Sequence, residues 1–334
     1  MNYPIGIQDF ASIINDGFVY VDKTDMVYEL TKDKGVYFLS RPRRFGKSLL
    51  VSTIKYYFEG RHDLFKGLKI ESLEKKWETY PVFEIDFNGS NYTEADALEQ
   101  TLNGYLVKWE QQYGVKPATD QPGRRLADVL HQAHVQTGKT CVVLVDEYDK
   151  PMLDAMDTGL KTRVGDNEVL IEDYNCETLK AFYSVFKLAD ADLRFVFLTG
   201  VTKFAQVSVF SGFNNARDIS MNPRFDTICG ISREELDNVF ASSIVELASK
   251  NMLSVEEAKF QLQQRYDGYH FSNGMTDIYN PFSLLNAFAD DNIRDYWFAS
   301  GTPSYLMRLL AHSNENIQNI IARSYEAQEF VDYR

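Results

Sequence analysis

Short apolar runs alternate with amphipathic stretches over the first two thirds of the chain. Val36-Tyr37-Phe38-Leu39 is the first run, and a basic turn follows it. Leu50, Ile54, Tyr57 and Phe58 then fall at helical spacing and predict a helix from about Lys47 to Glu59. Val82-Phe83-Glu84-Ile85-Asp86-Phe87 follows Pro81 and reads as a second strand, ahead of a polar helix through roughly Glu94 to Gln112. Cys141-Val142-Val143-Leu144-Val145 is continuous and β-branched, which suits a strand buried on both faces, and it ends in Asp146-Glu147-Tyr148-Asp149. A helix over about Cys176 to Leu188 leads into Arg194-Phe195-Val196-Phe197-Leu198-Thr199, a fourth strand closed by Gly200, and Phe225-Asp226-Thr227-Ile228-Cys229 reads as a fifth. The alternation predicts an α/β fold, three layers α/β/α on a parallel sheet.

After Gly230 the pattern turns helical. Ser232 with Glu235 and Ser254 with Glu257 have the spacing of capping boxes, and Asn280-Pro281 reads as the N-cap and first position of another helix. Tyr269-His270-Phe271 and Asp277-Ile278-Tyr279 flank Asn273-Gly274 as a small hairpin. The change divides the chain into an α/β domain over residues 1–230 and a smaller, mainly helical lid over residues 231–334. Gly114 to Gly123 and Thr158 to Glu168 read as exposed loops.

Composition narrows the classes. The 334 residues carry 35 Lys plus Arg against 48 Asp plus Glu, a net charge of −13 that repels nucleic-acid backbones and anionic lipid. Nucleic-acid binding is therefore unsupported, and any such contact must be local. The N-terminus lacks a signal pattern and no apolar run approaches the ~18 residues of a membrane span, so a cytoplasmic protein is expected. Cys141, Cys176 and Cys229 stand too far apart for a CxxC site. His131 and His134 share a helical face but lack further ligands nearby, and read as satisfied surface histidines.

The chemistry concentrates at Arg41-Pro42-Arg43-Arg44-Phe45-Gly46-Lys47-Ser48, between the first strand and the first helix. In that context backbone N–H groups of Arg43, Arg44, Phe45, Gly46, Lys47, Ser48 and Leu49 can wrap phosphates. Lys47 would neutralise them and the Ser48 hydroxyl would hold Mg²⁺. The usual first glycine of such a loop falls on Arg41. A second Gly-Lys-Thr, Gly138-Lys139-Thr140, precedes a strand instead of following one and is rejected.

A phosphate loop of this kind works with a carboxylate on a neighbouring strand for Mg²⁺, often with a Glu beside it to orient the attacking water. Asp146 and Glu147 supply both, Asp146 as metal ligand and Glu147 as general base. Asp149 reads as a helix cap or solvated acid with a lesser claim to a site role, and Asp86 as a strand-terminal turn residue that could also lie near the site. Thr199 ends the fourth strand where a γ-phosphate sensor can sit, or is simply a β-branched strand residue. Arg217 and Arg224 read as surface salt-bridge residues with a lesser claim to be fingers for a neighbouring subunit's phosphate.

Tyr20-Val21-Asp22-Lys23-Thr24 and the Ser40 to Ser48 block resemble the bacterial AAA-ATPase-like family. So do Val145-Asp146-Glu147-Tyr148-Asp149-Lys150-Pro151, Leu198-Thr199-Gly200-Val201, Ser211-Gly212-Phe213-Asn214-Asn215, Tyr266-Asp267-Gly268-Tyr269, Tyr279-Asn280-Pro281-Phe282-Ser283 and Ser300-Gly301-Thr302-Pro303. The resemblance implies that Arg41 is the family's own form of the loop, with ATP and Mg²⁺ held by Lys47, Ser48 and Asp146. Members commonly carry a C-terminal module of the restriction-endonuclease type. Its acidic-plus-Lys core is not recognisable here, so no nuclease role is read into these residues, and such a module or another protein is the partner implied. The base is not derivable from the residues, ATP resting on the resemblance, and the oligomeric state is equally open. Two readings of function follow: an ATPase whose lid moves with the nucleotide state, or a slow-turnover switch that controls a partner.

Overall fold

The computed structural model describes residues 1–201, 216–272, 274 and 276–296. Along the chain the strands are β1 (Gly35–Ser40), β2 (Val82–Asp86), β3 (Cys141–Asp146), β4 (Lys161–Val164), β5 (Asn167–Leu170), β6 (Leu193–Gly200), β7 (Ala216–Asp218), β8 (Ile231–Ser232) and β9 (Ile278–Tyr279). Five of them form a sheet in the order β2-β3-β6-β1-β7, and every neighbouring pair in it is parallel. Helices α1 (Phe10–Asn15) and α2 (Thr24–Thr31) precede β1, and α3 (Lys47–Phe58) follows it, with α4 (Lys69–Leu73) beyond. Between β2 and β3 run α5 (Ala97–Tyr113) and α6 (Pro122–Thr137); α7 (Lys150–Ala155), α8 (Ile171–Tyr183) and α9 (Val185–Leu188) lie between β3 and β6.

The layers follow from the strand pleat, which sends successive side chains to opposite faces. Phe38, Val143, Val145, Val196 and Leu198 pack to one side with Leu102, Leu130 and Leu179 of α5, α6 and α8. Tyr37, Leu39, Val142, Leu144, Phe195 and Phe197 pack to the other with Val27 of α2 and Leu50 and Ile54 of α3. All of β3 is buried. Each such Val, Leu or Phe contributes about 1.5–3 kcal/mol, so the centre of the sheet is the stiff platform from whose strand ends the site is built.

Several sequence expectations are corrected. β3 does not neighbour β1, because β6 is inserted between them. The fifth sheet strand is β7, whereas Pro223–Phe225 is a 3₁₀ turn. Proline has no N–H for a ladder, and Phe225, Ile228 and Cys229 serve as buried anchors of a loop instead. The exposed stretch after Thr158 contains the hairpin β4–β5, whose turn passes through Gly165 at φ +62°. The helix expected from Cys176 begins earlier, at Ile171, and is broken at Ser184.

Beyond Gly230, helices Arg233–Val239, Ala241–Lys250, Val255–Tyr266 and Pro281–Ala289 share a core of Leu236, Phe240, Ile244, Leu247, Leu262, Leu284 and Phe288. Both capping boxes form, and Asn280 Oδ1 accepts from the Ser283 N–H at 3.0 Å. Tyr269 bridges Ile278 as the hairpin reading requires, but β9 also pairs with β8, and Asn273 lies outside the described residues. The N-terminal segment packs on this core through Tyr3, Val19 and Val21. It is tied there by the Tyr3 hydroxyl, which donates to Ser243 Oγ at 2.8 Å, and by Lys23 Nζ, which donates to both Glu235 carboxylate oxygens at 2.5 Å.

Candidate functional site

The candidate phosphate loop leaves β1 at Arg41 and turns into α3 at Gly46. Gly46 sits at φ +90°, a region a side chain disfavours, and in that conformation it serves as the N-cap of α3. The turn sets Lys47 and Ser48 in the first turn of the helix, where N–H groups have no intrahelical acceptor and the dipole favours anions. Lys47 is only 4% exposed, and its ammonium donates to the Arg41 and Pro42 carbonyls at 3.2 and 3.4 Å. Ser48 is half-buried, Arg43 and Gly46 are exposed, and Leu49 packs against Phe10, Phe65 and their neighbours.

Across the sheet, the Thr199 hydroxyl at the end of β6 donates to Asp146 Oδ1, and the Glu147 N–H reaches the same oxygen at 3.1 Å. Because β6 separates β1 from β3, Thr199 lies between the loop and the carboxylates in the strand order. Glu147 adopts φ +51°, which turns its carboxylate out of the line of β3. Its Oε1 lies 3.4 Å from Lys47 Nζ. Asp146, Glu147, Thr199 and Lys47 are thus brought together from three strand ends.

Two neighbours fix this turn. Asp149 is fully buried and accepts the Val201 N–H at 3.0 Å, while the Tyr148 N–H donates to the Thr199 carbonyl at 2.9 Å. A Cβ on Gly200 would stand 2.4 Å from the Tyr148 ring, so glycine lets the two strand ends close on each other. Asp86 pairs with Asp146 across the sheet and accepts from the Asn88 N–H and side-chain amide, both at 2.8 Å. Burial, with the Asp146 charge adding to it, holds the Asp86 carboxyl above its ordinary value.

The basic and aromatic side chains of the loop point elsewhere. Arg41, 1% exposed, donates to the Ser220, Phe225 and Ser40 carbonyls and lies 4.0 Å from the Phe271 ring centroid. Burial pulls its pKa down to about 10. Phe45 is buried against Tyr269 and Phe271, with ring centroids 4.7 and 5.6 Å away, so its side chain belongs to the core and only its backbone can face a ligand. The Arg44 guanidinium lies 3.9 Å over the Phe282 ring. Arg217 and Arg224 are exposed, on β7 and in the 3₁₀ turn.

Beside Gly46 lies an apolar cavity of about 100 Å³ that sequence reasoning missed. Val19, Tyr20, Val21 and Lys23 wall one side, Leu49, Leu50 and Thr53 of α3 another, and Ile228 to Ile231, Phe240, Pro281 and Leu285 close it. The signal was the Tyr20 to Thr24 block, whose Tyr20, Val21 and Lys23 line the cavity. Gly138, by contrast, is the left-handed C-cap of α6, as suits a rejected phosphate loop. His131 and His134 both set Nδ1 against Asp192 Oδ1, at 3.3 and 2.7 Å.

The described residues contain no group of three or more His, Cys, Asp or Glu able to hold a metal. Asp146 as carboxylate and Ser48 as hydroxyl would be oxygen donors of the kind Mg²⁺ takes, with waters and substrate phosphates completing its shell. No helix among the described residues is long and apolar enough to cross a membrane.

A parallel sheet flanked by helices, with a glycine turn entering a helix after one strand, is the fold of the P-loop NTPase class. The chain belongs to the AAA-ATPase-like family: the family described as predicted AAA-ATPase matches residues 4–210. The uncharacterized protein in vnfD 5'region of Azotobacter chroococcum mcd 1 is 38% identical over 311 residues, which cover 92% of this chain and 55% of that protein. The chain therefore spans about half the length of this relative.

Proposed function

We propose that the protein binds Mg-ATP and hydrolyses it, with the triphosphate on the loop from Arg43 to Leu49 and the base in the apolar cavity beside Gly46. The observation that carries this reading is the 3.4 Å contact between Lys47 and Glu147, since it sets the phosphate-binding ammonium and the candidate base at one point. Asp146 and Ser48 would hold Mg²⁺, which when bound supplies positive charge to the phosphate oxygens.

The residues then divide the work. Lys47 and the α3 N-terminus bind and orient the phosphates. Thr199 holds Asp146 in place and stands where a γ-phosphate is sensed. Glu147 takes the proton of a water whose oxygen bonds to the γ-phosphorus, while the bond from that phosphorus to the β–γ bridging oxygen breaks and ADP departs with the electron pair. The segment 231–334 would act as a lid, because its Ile231, Phe240, Pro281 and Leu285 wall the base cavity and so feel whether it is filled.

Titration with a fluorescent ATP analogue and Mg²⁺, beside Lys47→Ala, with phosphate release followed in the same samples, tests the reading. Binding lost in the variant and release by the parent support it. Binding without release favours a slow switch that controls a partner or nuclease module, and absence of binding in both proteins overturns the nucleotide site.

A further inference from the structure

Arg44 is the strained member of the loop. Its backbone lies at φ +68°, a left-handed conformation that costs a non-glycine residue energy. Its guanidinium carbon stands 3.9 Å from the centroid of the Phe282 ring. Its Nη1 is buried and has no hydrogen-bond acceptor among the described residues. A guanidinium stacked on a ring satisfies its charge through the π face and leaves its in-plane N–H donors unused. An anion meeting those donors would gain bidentate hydrogen bonds that the ring cannot offer.

Phe282 is the second residue of the helix Pro281–Ala289, and Pro281 and Leu285 of that helix line the cavity beside Gly46. One helix therefore touches the apolar cavity directly and the phosphate loop through Arg44. We infer that Arg44 has two alternative partners, the ring of Phe282 and an anionic oxygen of a bound polyphosphate. The exchange makes Phe282 the residue through which polyphosphate occupancy reaches the helix Pro281–Ala289. The inference rests on the proposed nucleotide site. Its consequence is that Phe282 competes with the phosphates of a nucleotide and not with its nucleoside.

The test compares equilibrium binding of Mg-ATP and of adenosine to the parent, Phe282→Leu, Phe282→Tyr, Arg44→Ala and the Arg44→Ala/Phe282→Leu double variant, with thermal melts as a check on folding. Phe282→Leu is expected to bind ATP roughly fivefold tighter, the size of a partly buried cation–π contact expressed as affinity, with adenosine unchanged. Phe282→Tyr keeps the ring face and should match the parent, and Phe282→Leu should have no effect once Arg44 is gone. If Phe282→Leu melts early, Phe282→Met carries the same comparison. Equal changes for ATP and adenosine, no change for ATP, or an effect that survives in the Arg44→Ala background would each overturn the inference. A parent that binds ATP through Lys47 while the Phe282 variants match it overturns this inference alone; a parent that binds no ATP overturns the nucleotide site with it.

Discussion

Lys47 and Glu147 form a 3.4 Å ion pair with side chains 3% and 15% exposed, a direct ionic link between the loop after β1 and the turn after β3. Bound phosphates would give Lys47 other anions and free Glu147 to meet water. Glu147→Gln keeps the shape and removes the base, so phosphate release should fall by about 10²–10⁴-fold while ATP binding persists. Release that continues at the parent rate would remove Glu147 from the chemistry and favour the switch.

Arg41 stands where many phosphate loops have glycine, and its guanidinium is buried among the carbonyls of Ser40, Ser220 and Phe225. Restoring the glycine should harm the protein. Arg41→Gly takes the guanidinium donors away from those carbonyls, leaving Phe225 only the Ile228 N–H, and opens a void against Phe271, at a cost of about 2–4 kcal/mol. Arg41→Lys should recover little, since an ammonium cannot reach three carbonyls in the plane of the guanidinium. Urea unfolding of the three proteins decides it, and an Arg41→Gly protein as stable as the parent would show the buried guanidinium to be dispensable.

Thr199 is fully buried and spends its hydroxyl on Asp146. Thr199→Val preserves the shape but withdraws a donor from a buried carboxylate, which should cost about 1.5–3 kcal/mol. Thr199→Ser should restore both stability and phosphate release. If valine and serine behave alike, the hydroxyl has no role and Thr199 is only a strand residue.

Asp86 is held above the ordinary carboxyl value of 3.8 by burial, with the Asp146 charge in support. A carboxyl with a higher pKa in the folded than in the unfolded state costs stability when ionised, and that cost disappears as pH falls through the folded pKa toward 3.8. Asp86→Asn retains an acceptor for Asn88 and should melt above the parent at about pH 7, with the gap closing under acid. A gap of constant size over that range would assign the effect to something other than ionisation.

The sheet was legible because its strands announce themselves. Cys141 to Asp146 is buried throughout and reads as an unbroken apolar run, and Lys47 to Phe58 carries its helical stripe. β7 was not legible, since Ala216, Arg217 and Asp218 hold their place by pairing with β1 and carry no apolar signal of their own. Phe225 to Cys229 misled for the opposite reason: apolar residues that anchor a loop in a core look like a strand. The loop from Arg41 to Ser48 was found by motif, but the directions of its side chains depend on Phe271, Phe282 and Ser220, more than 170 residues away, and no local pattern reports them. The Ser211 to Asn215 and Ser300 to Pro303 blocks lie outside the described residues.

The cavity beside Gly46 takes walls from Pro4, Val19, Tyr20, Val21 and Lys23 as well as from Pro281 and Leu285. The ties of the N-terminal segment to the later helices bridge 240 residues from Tyr3 to Ser243 and 212 residues from Lys23 to Glu235. Contacts of such long sequence separation form slowly, because the intervening chain must be closed into a loop before any of them is gained. On a ribosome the first two dozen residues emerge long before their partners exist. The β1 to β6 sheet can assemble meanwhile, yet the cavity beside Gly46 is completed only after Leu285 has left the exit tunnel, so this pocket is among the last features the growing chain acquires.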